Sequence, residues 1–185
     1  IYLLKFQLSV PQSQVIIAGS LDLTCADVSY NDSSNNINLY PSLVYQPVDN
    51  SDVTWNSRNS THDWHQPGIY STQDRSDWDV PSTQLVMSNQ LTKYTLNVTK
   101  LLQESHTLQF PMVDLAVSGV GGTTLCATDE NLTTSYHPQL SIVTQTNSYG
   151  DGGSVSANFV DNGSPLMKHQ KLLMAETLPT ISYQN

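Results

Sequence analysis

The chain has 185 residues, 38% of them hydrophobic and only 12% charged, with a formal net charge of -9. Seven Lys plus Arg against sixteen Asp plus Glu argue against phosphate backbones and anionic membrane surfaces as partners, so nucleic acid is set aside. No apolar stretch approaches the roughly 20 residues of a membrane span. The wealth of Ser, Thr and Asn, with little Glu, Lys or Ala, is that of an extracellular β protein of one domain plus an extension.

The chain opens on an apolar run, residues 1–8, containing Leu3, Leu4, Phe6 and Leu8, and so reads as starting inside a strand. Further strands are predicted over 14–28, 36–46, 52–56, 84–88, 93–98, 107–118, 123–128, 138–146 and 155–161 from period-2 alternation between turn signals. Residues 57–83, polar and rich in Asp, read as a long ordered excursion from the sheet. Only residues 98–103, with Val98, Leu101 and Leu102 at helical spacing, predict a short helical turn. Many short strands at regular intervals predict an all-β jelly-roll β-sandwich.

The glycines of 150–153 break the chain after the last core strand, dividing a sandwich core at 1–149 from a linker and extension at 150–185. The core then lacks its first strand. The extension has strand character at 154–161, and Val155, Phe159 and Val160 are the side chains expected to fill pockets if it adds to an open edge beside Leu3, Leu4, Phe6 and Leu8.

Cys25 and Cys126 lie in separate strand segments, and two isolated cysteines supply no metal cluster. A disulfide linking an early strand to a late one is the preferred reading, two free buried thiols the alternative. Asn-X-Ser/Thr sequons stand at Asn31, Asn59, Asn97, Asn131 and Asn162. In 94–99 the apolar Tyr94, Leu96 and Val98 alternate with polar residues, which places Asn97 on the solvent face. Secretion through a glycosylating pathway follows as an expectation, with N-glycans attached covalently.

Asp74, Asp77 and Asp79 have the spacing of oxygen ligands and form a weak calcium candidate; a solvated acidic loop is favoured, and no metal or cofactor is expected. His62, Asp63 and His65 flank Trp64 without an identifiable further ligand and read as surface residues. Trp55 reads as core. Trp64 and Trp78, in the long loop, stand open between core plug, subunit interface and sugar-stacking platform. No nucleophile elbow, zinc-protease motif or recognisable carboxylate pair supports an enzyme.

Several segments resemble the DNRLRE-type domains, secreted jelly-roll modules similar to carbohydrate-binding modules. Residues 3–9, Leu-Leu-Lys-Phe-Gln-Leu-Ser, are similar to that family's "LLRFDLS" strand, and residues 16–23 to the strand that follows it. Asp52-Val-Thr-Trp-Asn-Ser-Arg-Asn59 is close to its "TVTWNNRP", residues 94–101 to its "VSFDVTSLV", and residues 136–142 to its closing strand. The family's usual opening segment is missing before residue 3, and residues 156–175 resemble it, displaced to the C-terminal side. The resemblance implies one unit cut mid-domain, completed by its own extension or by a neighbour's. The functional expectation is a subunit or tandem repeat of an extracellular glycosylated filament, copies of the chain joined head to tail by strand donation. The alternative is a carbohydrate-binding module of a larger secreted protein.

Overall fold

The computed structural model describes residues 1–30, 36–46, 48, 52–76, 83–86, 91–120, 122–126, 134–146 and 157–161. In chain order the strands are β1 (Tyr2–Gln7), β2 (Gln14–Tyr30), β3 (Asn36–Leu43), β4 (Ser57–Asn59), β5 (His62–Asp63), β6 (Thr83–Val86), β7 (Thr92–Asn97), β8 (Met112–Val120), β9 (Gly122–Cys126), β10 (Gln139–Thr146) and β11 (Ala157–Asp161). Among the described residues an α-helix, α1 (Thr99–Thr107), follows β7, and a 3₁₀ turn spans Thr134–Tyr136. The fold is all-β, as the alternation predicts.

Two antiparallel sheets face each other. The first runs β1-β8-β3-β6; the second runs β11-β10-β2-β7, with β9 also on β2. Their inward faces share one core: Leu4 and Phe6 of β1, Leu39 and Leu43 of β3 and Leu115 of β8 meet Leu21 and Leu23 of β2, Leu96 of β7 and Ile142 of β10. The alternation is cleanest along β10, where Leu140, Ile142 and Thr144 are buried and the residues between them are half-buried. Tyr2 ties the sheets together, its hydroxyl accepting the backbone N–H of Cys126 at 2.9 Å.

In the first sheet β1 and the middle of β8 are buried on both faces, which explains why residues 1–8 read as an unbroken apolar run. Leu3 of β1 and Ala116 of β8 turn away from the sandwich core and pack with Val44, Val48, Val53, Trp64 and Ile69 in a second cluster. The excursion after β3 is thus a lid over the outer face of this sheet. Lys5 and Asp114, opposite each other in the β1–β8 register, lie beneath it, with Nζ 3.6 Å from Oδ1. Lys5 Nζ also donates to Val48 O at 2.6 Å. Burial pushes the Asp114 carboxyl up to about 6, against the opposing pull of the Lys5 ammonium and of the Val48 backbone N–H.

Pro41 lies inside β3 without breaking it. Leu43, of the same parity, turns its peptide groups away from β8: its N–H meets Ser76 Oγ and its C=O accepts from Ser76 N. The N–H that Pro41 lacks is on that same side, past the last β6 pair at Leu39, so no ladder bond is lost.

Two expectations need correction. Residues 52–56 form no strand, because Thr54 Oγ1 accepts the backbone N–H of Asn56 and Ser57 and turns the chain; the hairpin β4–β5 comes after it. The helical turn expected over 98–103 is a full helix to Thr107, followed by a turn where 107–111 was expected to be strand. It ends with Gln109 at φ 59°, Gln109 N donating to His106 O and Phe110 N to Ser105 O. A glycine normally marks such an end, and here there is none.

At its start α1 replaces β7 beside β2. Thr99 Oγ1 accepts Gly19 N at 2.9 Å and Gln103 Nε2 donates to Ile16 O at 2.7 Å. A Cβ on Gly19 would stand 2.3 Å from Leu102 Cδ1, so a side chain there would have to displace the buried Leu102. A register shift between Val143 and Thr144 of β10 leaves Ile17 as the extra residue of β2, a bulge at the same place.

Candidate functional site

Three features carry the candidate chemistry: the C-terminal strand, the lid, and the sequons. The C-terminal strand β11 pairs antiparallel with β10, with Phe159 opposite Val143 and Val160 opposite Ile142. It therefore stands at the end of the second sheet. The sequence pattern predicts an acceptor edge beside Leu3, Leu4, Phe6 and Leu8 of a neighbouring copy; within this chain β11 lies on β10 instead, and β1 stands at the end of the other sheet, next to β8. The physical reason is chain economy, since β10 precedes the extension directly and an antiparallel return needs only the link 147–156. In this chain the ladder is closed within one molecule. Val155 lies outside the described residues.

Leu4 and Phe6 fill the sandwich core and Leu3 the cluster under the lid, with Leu8 packed against the core from a half-buried position. Their side chains hold the two layers together.

Cys25 and Cys126 are opposite residues of β2 and β9 and form a disulfide, both buried, so the alternative of free thiols is excluded.

The lid is organised by Asp74. Its carboxylate is buried and accepts the backbone N–H of His65 at 2.9 Å, the N–H of Gln66 at 3.4 Å and a contact from His65 Nδ1 at 2.7 Å. A carboxylate with its lone pairs so engaged is a turn-fixing group, and Asp74 drops out of the calcium candidate. Asp77 and Asp79 lie outside the described residues. His62 Nδ1 contacts Thr61 Oγ1 at 2.7 Å and Asn59 Oδ1 at 3.2 Å, whereas the exposed His65 contacts Asp74, so the histidines belong to separate local networks. Among the described residues no group of three or more His, Cys, Asp or Glu side chains is placed to hold a metal.

Trp64 is only 4% exposed and its Nε1 donates to Thr54 O at 3.2 Å. It plugs the core under the lid, and its place as a sugar platform is corrected: a ring covered by Val53, Ile69 and Ala116 offers no face to a ligand. Trp78 lies outside the described residues. The aromatic pair that does reach the surface is one that sequence reasoning missed. Trp55, expected as core, is half-buried and meets Tyr70, 44% exposed, edge to face at 5.8 Å. Between them Gly68, at φ 75°, leaves room where a Cβ would come within 2.5 Å of the indole. Ile69 follows at φ 62°, a left-handed conformation rare for a β-branched residue, and Arg75 Nε braces it by donating to Ile69 O at 2.7 Å. The signal available in sequence was the Pro67-Gly68 turn preceding Tyr70.

Two sequons share one local geometry. Asn97 Oδ1 accepts Thr99 N at 3.0 Å and Thr99 Oγ1 at 2.8 Å; Asn59 Oδ1 accepts Thr61 N and Thr61 Oγ1, both at 3.0 Å. A backbone N–H donor fixes which amide atom is oxygen, so in both the nitrogen is the atom left for substitution. Asn97 is exposed while Leu96 and Val98 are buried, the alternation predicted for this strand. Asn59 is half-buried on the lid. Asn31, Asn131 and Asn162 lie outside the described residues.

No protein-family model matches the chain, and no curated protein matches it. The likeness to DNRLRE-type domains rests on the short sequence segments alone.

Proposed function

We propose that this chain is a structural module of a secreted, N-glycosylated extracellular filament, in which β11 of one copy adds to β10 of the next. The carrying observation is the β10–β11 ladder: a short strand at the end of a sheet, joined to the sandwich through a link containing Gly150, Gly152 and Gly153. Its register is made by peptide groups, which bond identically whichever copy supplies them. The closed chain is the monomeric form of that ladder. Exchange between copies, head to tail and without closure, propagates as a fibre.

The buried disulfide supports an oxidising compartment. The five sequons and the acidic, neutral-polar composition support an extracellular surface. Consecutive strands β1, β2 and β3 alternate between the sheets, which supports the jelly-roll connectivity implied by the family resemblance. No catalytic role and no cofactor is proposed.

Negative-stain microscopy of the secreted protein tests the reading. Full-length chain should give fibres and chain lacking residues 154–185 none; fibres from the truncated chain, or their absence from the full-length chain across concentration, overturn it. One observation favours a second reading, a carbohydrate-binding module: the exposed Tyr70 beside the half-buried Trp55, an aromatic pair at the surface of the kind that stacks on a pyranose. Glycan binding abolished by Tyr70→Ala in a chain that forms no fibres would select it.

A further inference from the structure

The outer face of the second sheet carries an apolar strip. Val15 is 38% and Ile17 45% exposed; Ala18 is exposed, and Val143 of β10, opposite Ala18, is half-buried. The bulge makes this strip. In regular alternation only one of Ile17 and Ala18 would point outward, but the extra residue puts both there while Ile16 keeps the inward position. An exposed apolar strip on a sheet face is an association surface unless something covers it.

Asn97 shares that face. It stands opposite Ser20 in the β2–β7 register, and its buried neighbour Leu96 pairs with the inward Leu21. Ile17 is three residues along β2 from Ser20, or about 10 Å at the rise of a strand. The first few sugars of a chain attached at Asn97 span that distance.

We propose that Asn97 carries an N-glycan that lies over the Val15–Ile17–Ala18–Val143 strip and keeps this face from pairing with the same face of another copy. The proposal rests on the secreted, glycosylated part of the functional reading and adds what that glycan does, which is to restrict self-association to strand exchange at the sheet end. The covalent step joins Asn97 Nδ2 to C1 of a sugar delivered on a lipid pyrophosphate. The C1–O bond to the carrier breaks, the pyrophosphate leaves with the electron pair, and one amide proton is lost, with no redox partner needed. In the folded chain the oxygen of the same amide is held by Thr99 N and Oγ1, which fixes the direction of the N–C1 bond relative to the sheet.

The strip and the glycan are separable by substitution. Asn97→Asp removes the acceptor nitrogen but keeps an oxygen for the Thr99 bonds, so the start of α1 is preserved. Wild type, Asn97→Asp and Asn97→Asp/Ile17→Ser are secreted at full length from a glycosylating eukaryotic host and compared at a matched concentration at which wild type forms no fibres. Glycopeptide mass spectrometry reads occupancy and light scattering reads mass. The expected result is a glycan on Asn97, at least a doubling of apparent mass for Asn97→Asp, and return to the wild-type mass with Ile17→Ser. Bare Asn97, or equal masses for wild type and Asn97→Asp, overturns the proposal. Wild type that is glycosylated yet forms no fibres at any concentration removes the filament reading and leaves this one standing.

Discussion

Asp114 is a carboxyl whose charge burial disfavours, and its replacement gives a stability signature readable as a function of pH. Burial beneath the lid raises its carboxyl from 3.8 to about 6, an effect that outweighs the attraction of Lys5 at 3.6 Å. At about 1.4 kcal/mol per pH unit the rise corresponds to roughly 3 kcal/mol. The sign follows from the direction. A carboxyl raised in the folded state binds its proton more tightly there, so its contribution is full below pH 3.8 and is lost as pH rises through about 6. Asn at this position keeps the shape and has no charge to bury. Urea denaturation of wild type and Asp114→Asn from pH 3.5 to 7.5 removes by difference the titration of all other groups. The variant should gain about 3 kcal/mol on the wild type across that range, about 6 to 12 °C in Tm for a chain of this length. A difference that is flat with pH refutes the reasoning. A variant that loses ground as pH rises would show that the Lys5 pair outweighs the burial.

Replacing Cys25 and Cys126 together by Ser should lower stability by about 4 to 5 kcal/mol in denaturant unfolding, from loss of a loop closure of 101 residues; a loss under about 1 kcal/mol would contradict it. Gly19→Ala should destabilise by about 1 to 3 kcal/mol through its clash with Leu102, and part of that loss should be recovered in a Gly19→Ala/Leu102→Ala double-mutant cycle. Gln109→Gly should stabilise by about 1 kcal/mol because it relieves a left-handed residue at the end of α1, seen as a rise in the urea midpoint with an unchanged slope.

The parts of the fold legible in sequence are those governed by a single buried face. β7 and β10 each pack one side on the core, so their alternation gave the solvent position of Asn97 and the inward Leu96 correctly. Residues 1–8 were legible as a strand but not as one covered on both sides, because a doubly buried strand shows no period. The lid was legible only as an excursion. Its organisation depends on Asp74 meeting the backbone of His65, a contact that composition cannot distinguish from a metal-ligand spacing. Trp64 takes the plug, one of the three places the sequence leaves open to it, and Trp55 packs half-buried against the same cluster: how deep each aromatic sits depends on the turn at Thr54 and the close approach at Gly68. The place of the C-terminal strand within its own chain was not legible, because the apolarity of β1 marks a sheet end, whereas the ladder forms on the strand that precedes the extension directly.

Strand exchange is tested most directly at the opposed pair Val143 and Phe159. Val143→Cys and Phe159→Cys are introduced in separate copies, the copies are mixed before assembly and oxidised, and the products are separated on a non-reducing denaturing gel. The account expects a crosslinked species of twice the chain mass from the mixture, neither single variant giving it alone, and a ladder of higher multiples from the double variant. Only internally crosslinked monomer from the double variant, with no crosslink in the mixture, would contradict it and leave β11 a strand of its own sandwich.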